Sequence, residues 1–166
     1  MKWLTVFALT CLLSLGLVVS PAGPAHVRAA EPETSWEKVL KSLQGEWICS
    51  EEESEGKKTP AAALKEKNRR VTIKGNKLIM RRDEKGVRGH LEGRIELDPT
   101  VTPATFDLTG KDFTGVYFEL TGIYELKDDV FRLCITRVEK NAKRPKDFTT
   151  EAMTKRESFT FKRDKN

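Results

Sequence analysis

The sequence predicts an all-β domain: an antiparallel barrel of about eight strands with a short N-terminal helix, with a β-sandwich as the alternative. Three observations predict it. Short segments of alternating apolar and polar residues recur along the chain, and turn residues separate them at intervals of roughly ten residues. The triplet Gly45-Glu46-Trp47 opens the first of these segments. A glycine at that point lets the backbone turn closely, while the indole of Trp47 fills one end of a small barrel.

The N-terminal segment predicts export. Lys2 precedes an uncharged apolar stretch that ends at Val19, and small residues then lead to Val27-Arg28-Ala29. We expect a signal peptide over residues 1–29, cleaved after Ala29 or, as a second choice, after Ala22, which places the protein in the periplasm or outside the cell. A retained membrane helix is the alternative, since ~17 apolar residues are close to the lower limit for a span.

The domain left after cleavage, residues 30–166, is large enough to bury a core of its own. Loss of Lys2 and Arg28 lowers the formal net charge from +5 to +3. This balance does not predict nucleic-acid binding, and the basic runs 65–70 and 140–146 lack interleaved aromatic residues. We therefore interpret both runs as solvated connections, and we expect no stable membrane anchor after processing.

A helix precedes the sheet. Thr34 and Glu37 have the spacing of a capping box, and an apolar stripe follows at helical spacing, formed by Trp36, Val39, Leu40 and Leu43. We expect this helix to lie across one end of the barrel. The predicted strands cover residues 44–51, 70–74, 77–82, 87–97, 104–108, 115–126 and 130–137 and a last segment through Phe159 and Phe161, with a short helix from Thr59 to Leu64 after the first strand.

Two cysteines remain after cleavage, Cys49 and Cys134. Alternation places Cys49 on the inward face with Trp47, whereas Cys134 lies between two inward residues and so faces outward. A disulfide needs the two Cβ atoms to face each other, so we expect free thiols. Export makes a disulfide chemically feasible, and a bulge in either strand would restore the pairing.

The search for catalytic chemistry is mostly negative. His90 is the one histidine left after cleavage, and it falls on the polar face of its strand, so no nucleophilic triad can be assembled around it. The cysteines lack metal-ligand spacing. Gly110–Gly115 resembles the start of a phosphate-binding loop, but Val116-Tyr117 replaces the required Lys-Ser/Thr. Carboxylates that alternate onto the polar faces predict a charged exterior rather than a glycosidase pair: Glu92, Glu96, Asp107 and Glu119.

Five short motifs lie in a fixed order between Leu43 and Arg163: Leu43-Gln44-Gly45-x-Trp47, Leu97-Asp98-Pro99-Thr100, Gly122-Ile123-Tyr124-Glu125-Leu126, Leu133-Cys134 and Arg144-Pro145-x-x-Phe148-Thr149. Together they resemble the planctomycete-type family of small secreted lipocalin-like domains of unknown function. The resemblance implies export and a lipocalin-like barrel, and it supplies no activity and no catalytic residue. The loop over residues 110–115 is shorter than the family pattern implies.

The sequence therefore predicts a binding module without catalytic activity, cofactor or metal, for a small apolar or amphipathic ligand. The expected ligand contacts are the inward aromatic residues Trp47, Phe118, Tyr124 and Phe131. In the alternative interpretation these aromatics only fill the core, and the protein is an extracytoplasmic interaction or structural domain. Its basic loop, with Lys143, Arg144 and Lys146, would then contact an envelope protein. A hydrolase of an envelope polymer is the third hypothesis.

Overall fold

The computed structural model describes residues 34–84, 86–139 and 142–165, so the predicted signal peptide and its cleavage positions lie outside the described residues. The elements are, in order, α1 (Ser35–Leu43), β1 (Gly45–Ser54), β2 (Lys57–Lys58), α2 (Ala61–Lys67), β3 (Arg70–Lys74), β4 (Lys77–Glu84), β5 (Val87–Asp98), β6 (Thr105–Asp112), β7 (Tyr117–Lys127), β8 (Val130–Arg137) and β9 (Arg156–Arg163).

Eight of these strands form a closed antiparallel barrel. Neighbours in the sheet follow the chain from β3 to β9, and β1 pairs with both β3 and β9. The two-residue strand β2 adds to the far end of β1. The predicted barrel is thus confirmed over the sandwich, and closure leaves the eight strands with no free edge apart from strand ends.

The barrel has two distinct ends. The start of β1 and the end of β9 meet at the end where α1 lies, which we call the lower end, and Trp47 pairs there with Arg163. The end of β1, α2 and the turn between β6 and β7 lie at the opposite, upper end. Gly45 has a φ of +110°, which confirms that the chain needs glycine where it turns from α1 into β1.

The interior holds one apolar cluster, to which every barrel strand contributes: Leu43, Trp47, Cys49, Val71, Ile73, Leu78, Met80, Ile95, Phe106, Leu108, Phe118, Leu120, Tyr124, Phe131, Leu133, Ile135, Phe159 and Phe161. Leu43 at the end of α1 is fully buried, and Val39 and Leu40 pack against the cluster. Two predicted apolar residues do not join it, since Trp36 is 44% exposed and Val116, which precedes β7, is 56% exposed.

A glycine pair allows the backbones of β5 and β6 to approach closely. Gly93 on β5 and Gly110 on β6 lie directly opposite each other. A Cβ on Gly93 would lie 2.6 Å from the carbonyl oxygen of Thr109, closer than side chains approach backbone. This approach therefore requires glycine.

The prediction that residues 140–146 form a solvated connection is wrong for Arg144 and Pro145. Arg144 donates hydrogen bonds to the carbonyl oxygens of Phe106 (3.1 Å) and Gly122 (2.7 Å), and it pairs with Asp107 at 2.8 Å. Pro145 is buried. We call residues 142–150 the outer segment, because they pack along the outside of the barrel wall. Phe148 continues the contact under the guanidinium of Arg132, 4.3 Å from its ring centroid.

Both cysteines are free and buried. Cys49 belongs to the interior cluster, as predicted. Cys134 lies outside that cluster, between the inward residues Leu133 and Ile135, yet it is 0% exposed. Burial raises the pKa of both thiols to about 11. The outward face of β8 is therefore covered at Cys134, which lies outside the interior cluster as its predicted outward orientation requires.

Candidate functional site

The lower end of the barrel is closed on its β1–β9 side. The indole Nε1 of Trp47 donates to the carbonyl oxygen of Leu43 at 2.9 Å, and the guanidinium of Arg163 lies 4.2 Å from the centroid of the Trp47 ring. Arg163 also donates to the carbonyl oxygens of Gln44 and Ser42, each at 2.7 Å. These contacts tie α1 to β9, so ligand entry on this side would require them to break, and a depression of about 370 Å³ lies on the other side of α1, beside Tyr124.

The four predicted ligand contacts are all core residues. Trp47 and Phe131 are fully buried, with ring centroids 5.7 Å apart. Phe118 and Tyr124 belong to the same cluster, and neither is in ring contact with the other two. The Tyr124 hydroxyl has no hydrogen-bond partner. Burial, with a smaller contribution from Asp98, raises the pKa of this hydroxyl to about 12. The aromatic residues fill the barrel, and a ligand role for them stays a prediction.

A cavity of about 240 Å³ opens at the upper end. Its lining combines apolar and charged side chains: Arg69, Met80, Arg81, Arg82, Gly89, His90, Leu91, Asp112, Phe113, Arg137 and Glu157. Strand register places Met80 opposite Leu91, and Leu91 opposite Asp112, on the inward face. Three wider depressions, of about 370, 490 and 630 Å³, are more open to solvent, so the upper cavity is the most enclosed of these four.

A buried ion pair lies beside the cavity. Glu52 and Arg69 are 7% and 8% exposed, and the carboxylate Oε2 lies 3.4 Å from the guanidinium Nε. Lys67 contacts the other oxygen of Glu52 at 2.9 Å. The guanidinium of Arg69 also stacks over the ring of Phe159, at 4.9 Å from its centroid. Burial of charged groups is costly, so it needs an explanation beyond packing.

Sequence reasoning missed both members of this pair. Uniform alternation from Trp47 makes Glu51 the inward residue, but a register shift between Cys49 and Glu51 brings Glu52 inward, opposite Phe159. Such a bulge leaves no clear mark in sequence. Arg69 belongs to the run 65–70 that was interpreted as solvated, and its burial corrects that interpretation. Alternation extended back from Val71 and Ile73 would have placed Arg69 inward.

The N–H groups of the Arg69 guanidinium have poor hydrogen-bond acceptors. Nη1 donates to the thioether sulfur of Met80 at 3.7 Å, and Nη2 donates to Glu52 Oε1 at 3.5 Å. Nε makes no hydrogen bond, and neither does Glu52 Oε2. A guanidinium carries five N–H donors in a planar fork. In the described structure that fork is well buried and only weakly satisfied.

The rim of the cavity is set by a structured turn. Asp112 accepts hydrogen bonds from the backbone N–H groups of Thr114 (2.9 Å) and Val116 (3.0 Å). The hydroxyl of Thr114, followed by these N–H groups and by Arg137, lowers the pKa of the Asp112 carboxyl. Asp112 is therefore ionised at neutral pH and holds the turn that carries Phe113, which is 54% exposed at the opening.

The other side chains considered for catalysis or metal binding do not form a cluster. His90 is exposed, as predicted for the polar face of β5, and Glu92 forms an exposed pair with Lys77. Across residues 34–84, 86–139 and 142–165, no group of three or more His, Cys, Asp or Glu side chains could hold a metal ion. Neither of the two described helices is long and apolar enough to cross a membrane.

Comparison of the chain with protein-family models, with curated proteins and with solved structures found no match.

Proposed function

We propose that the protein is a non-catalytic binding module that takes a small amphipathic ligand into the upper end of its barrel. The observation that carries this proposal is the cavity of about 240 Å³, the most enclosed of the four described, at the end of the barrel opposite Trp47 and Arg163. A cavity of about 150 Å³ is enough for a six-carbon ring. The larger volume here suits a ring or a short chain together with a polar head.

The lining supports an amphipathic ligand rather than a wholly apolar one. Met80, Leu91 and Phe113 supply apolar surface, while arginines and carboxylates line the same space. Small-molecule sites commonly combine an apolar wall with a few polar groups that fix orientation. The export signal predicted over residues 1–29 supports the further proposal that binding takes place in the periplasm or outside the cell.

A cavity-filling substitution tests the proposal. Gly89 lines the cavity, and a Cβ there would meet only side-chain atoms at 3.5 Å or more, so Gly89→Leu fills the space without backbone collision. The matched control on the same strand is Arg94→Leu, because Arg94 is exposed and absent from the lining.

The measurement is an amide NMR titration of the purified protein with 1-octanol and with sodium octanoate. We expect shifts concentrated on cavity residues, lost in Gly89→Leu and kept in Arg94→Leu. Shifts that are absent, or that survive in Gly89→Leu unchanged, would refute the proposal. Shifts centred on the lower end would refute it equally.

A further inference from the structure

We propose that the ligand carries an oxyanion head, such as a carboxylate or a phosphate, and that Arg69 recognises this head on the inner side of the cavity. The inference rests on the proposed function and names the ligand class for the same site. Arg69 is 8% exposed, lines the cavity and has one N–H donor without any hydrogen bond. An oxyanion would supply the acceptors that Met80 and Glu52 supply poorly.

The contacts of Arg69 hold its guanidinium in an orientation that suits an oxyanion head. Its guanidinium plane is supported by the ring of Phe159, 4.9 Å away, which limits rotation of the fork. A planar fork held in this way binds a carboxylate or phosphate through two parallel hydrogen bonds. Because the fork is already desolvated, it would lose little further hydration when an anion binds.

The charge of the lining favours an anion as well. Even with Arg82 left out, because it has other contacts, three arginines line the cavity against two carboxylates, those of Asp112 and Glu157. Glu52 does not remove this excess, because its charge is offset by the contact with Lys67 at 2.9 Å. A cation would therefore meet net repulsion, and a neutral head would leave the Arg69 donors no better satisfied than before.

The arrangement also sets the direction of entry. Arg69 is buried, whereas the exposed Phe113 lies on the turn at the opening. An oxyanion that reaches Arg69 leaves its apolar tail beside Leu91 and Phe113, toward solvent. The ligand thus binds head first, and a tail longer than the cavity would protrude from the upper end.

A substitution at Glu52 distinguishes anion binding by Arg69 from a purely structural role of the Glu52–Arg69 pair. In the empty site Glu52 competes for the guanidinium of Arg69, with distances of 3.4 and 3.5 Å. Glu52→Gln keeps the shape and removes the competing charge. If Arg69 binds an anion, this variant should bind the anion more tightly than the unmodified protein does. If the pair only supports the fold, the variant should bind no better.

The experiment compares four linear probes that each contain eight carbon atoms: octanoate, octyl phosphate, 1-octanol and octylammonium. Dissociation constants are measured by NMR titration of the purified protein. We expect the better of the two anions to bind ~10-fold tighter than 1-octanol, as a charge-assisted hydrogen-bond pair provides. The ratio between octanoate and octyl phosphate identifies which oxyanion the site prefers. Octylammonium should bind weakest.

Three variants complete the test. Arg69→Met should remove the preference for anions and leave 1-octanol within about twofold, since a methionine retains apolar contact. Glu52→Gln should tighten anion binding several-fold. Arg94→Met is the control. It should leave the dissociation constants of all four probes unchanged, because Arg94 is exposed and outside the cavity lining.

The outcomes separate the two proposals. Equal binding of 1-octanol and the anions in the cavity, or a Glu52→Gln variant that binds anions no more tightly, overturns the oxyanion inference and leaves the proposed function standing. Absence of any probe from the cavity overturns both. If Arg69→Met fails to fold, the Glu52→Gln result decides the inference by itself.

Discussion

Trp47 tests whether the lower end is the structural base of the barrel. The indole is fully buried, and the guanidinium of Arg163 stacks on it at 4.2 Å. Replacing a buried tryptophan with alanine costs ~3 to 5 kcal/mol. Loss of a partly desolvated cation–π contact adds about 1 kcal/mol. We therefore expect Trp47→Ala to lower the free energy of unfolding by ~4 to 6 kcal/mol.

A smaller substitution separates the hydrogen bond from the packing. Trp47→Phe keeps an aromatic ring in the site but removes the Nε1 donor, which lies 2.9 Å from the carbonyl oxygen of Leu43. A buried acceptor left without its donor costs ~1 to 3 kcal/mol. Trp47→Phe should therefore lie between the unmodified protein and Trp47→Ala.

Urea denaturation, monitored by far-ultraviolet circular dichroism, gives the free energy of unfolding of both Trp47 variants. This signal does not depend on the tryptophan that is removed. Trp36 offers a matched control, because it is 44% exposed on α1. Trp36→Ala should cost less than about 1 kcal/mol, as expected for a surface position. A loss below about 1 kcal/mol for Trp47→Ala, or a loss for Trp36→Ala as large as that for Trp47→Ala, would refute the assignment of Trp47 as the plug.

Two further predictions concern the thiols and the outer segment. In the protein that begins at residue 30 and so lacks Cys11, both Cys49 and Cys134 should resist a thiol reagent at pH 8 in the native state, because burial raises the pKa of each to about 11. The same protein should consume two equivalents in denaturant, and zero equivalents would establish a disulfide. Arg144→Ala should lower stability by ~1 to 3 kcal/mol, because two barrel carbonyls lose their donor, and should make Cys134 reactive in the native state. The exposed Lys143→Ala is its control, and an Arg144→Ala variant as stable and unreactive as Lys143→Ala would contradict the anchoring role.

Local pattern was sufficient for most of the strands. The predicted segments 70–74 and 130–137 coincide with β3 and β8. Their period of two is uninterrupted, and the turn Gly75-Asn76 fixes where β3 ends and β4 begins. The capping-box spacing likewise identified the start of α1, where Glu37 accepts a hydrogen bond from the backbone N–H of Thr34 at 2.8 Å.

The inward position of Glu52 could not be predicted in the same way, because it depends on an interruption of the alternation. One extra residue in β1, between Cys49 and Glu51, reverses which acidic residue faces inward. The contacts of Arg144 are equally remote from local sequence, since they join residues 22 and 38 positions away. Periodicity predicts faces, but it does not predict which surface segment will later cover an outward face.

Two arginines at opposite ends of the barrel differ in how well their donors are satisfied, and this difference favours the upper end for the ligand that we propose. Each guanidinium lies over an aromatic ring, Arg163 over Trp47 and Arg69 over Phe159. Arg163 has two backbone carbonyls at 2.7 Å and Asp129 at 3.0 Å, so its donors are occupied by strong acceptors. Arg69 is more deeply buried, yet its acceptors are a thioether at 3.7 Å and a carboxylate oxygen at 3.5 Å. A ligand anion would gain little by displacing the first set of contacts and more by completing the second.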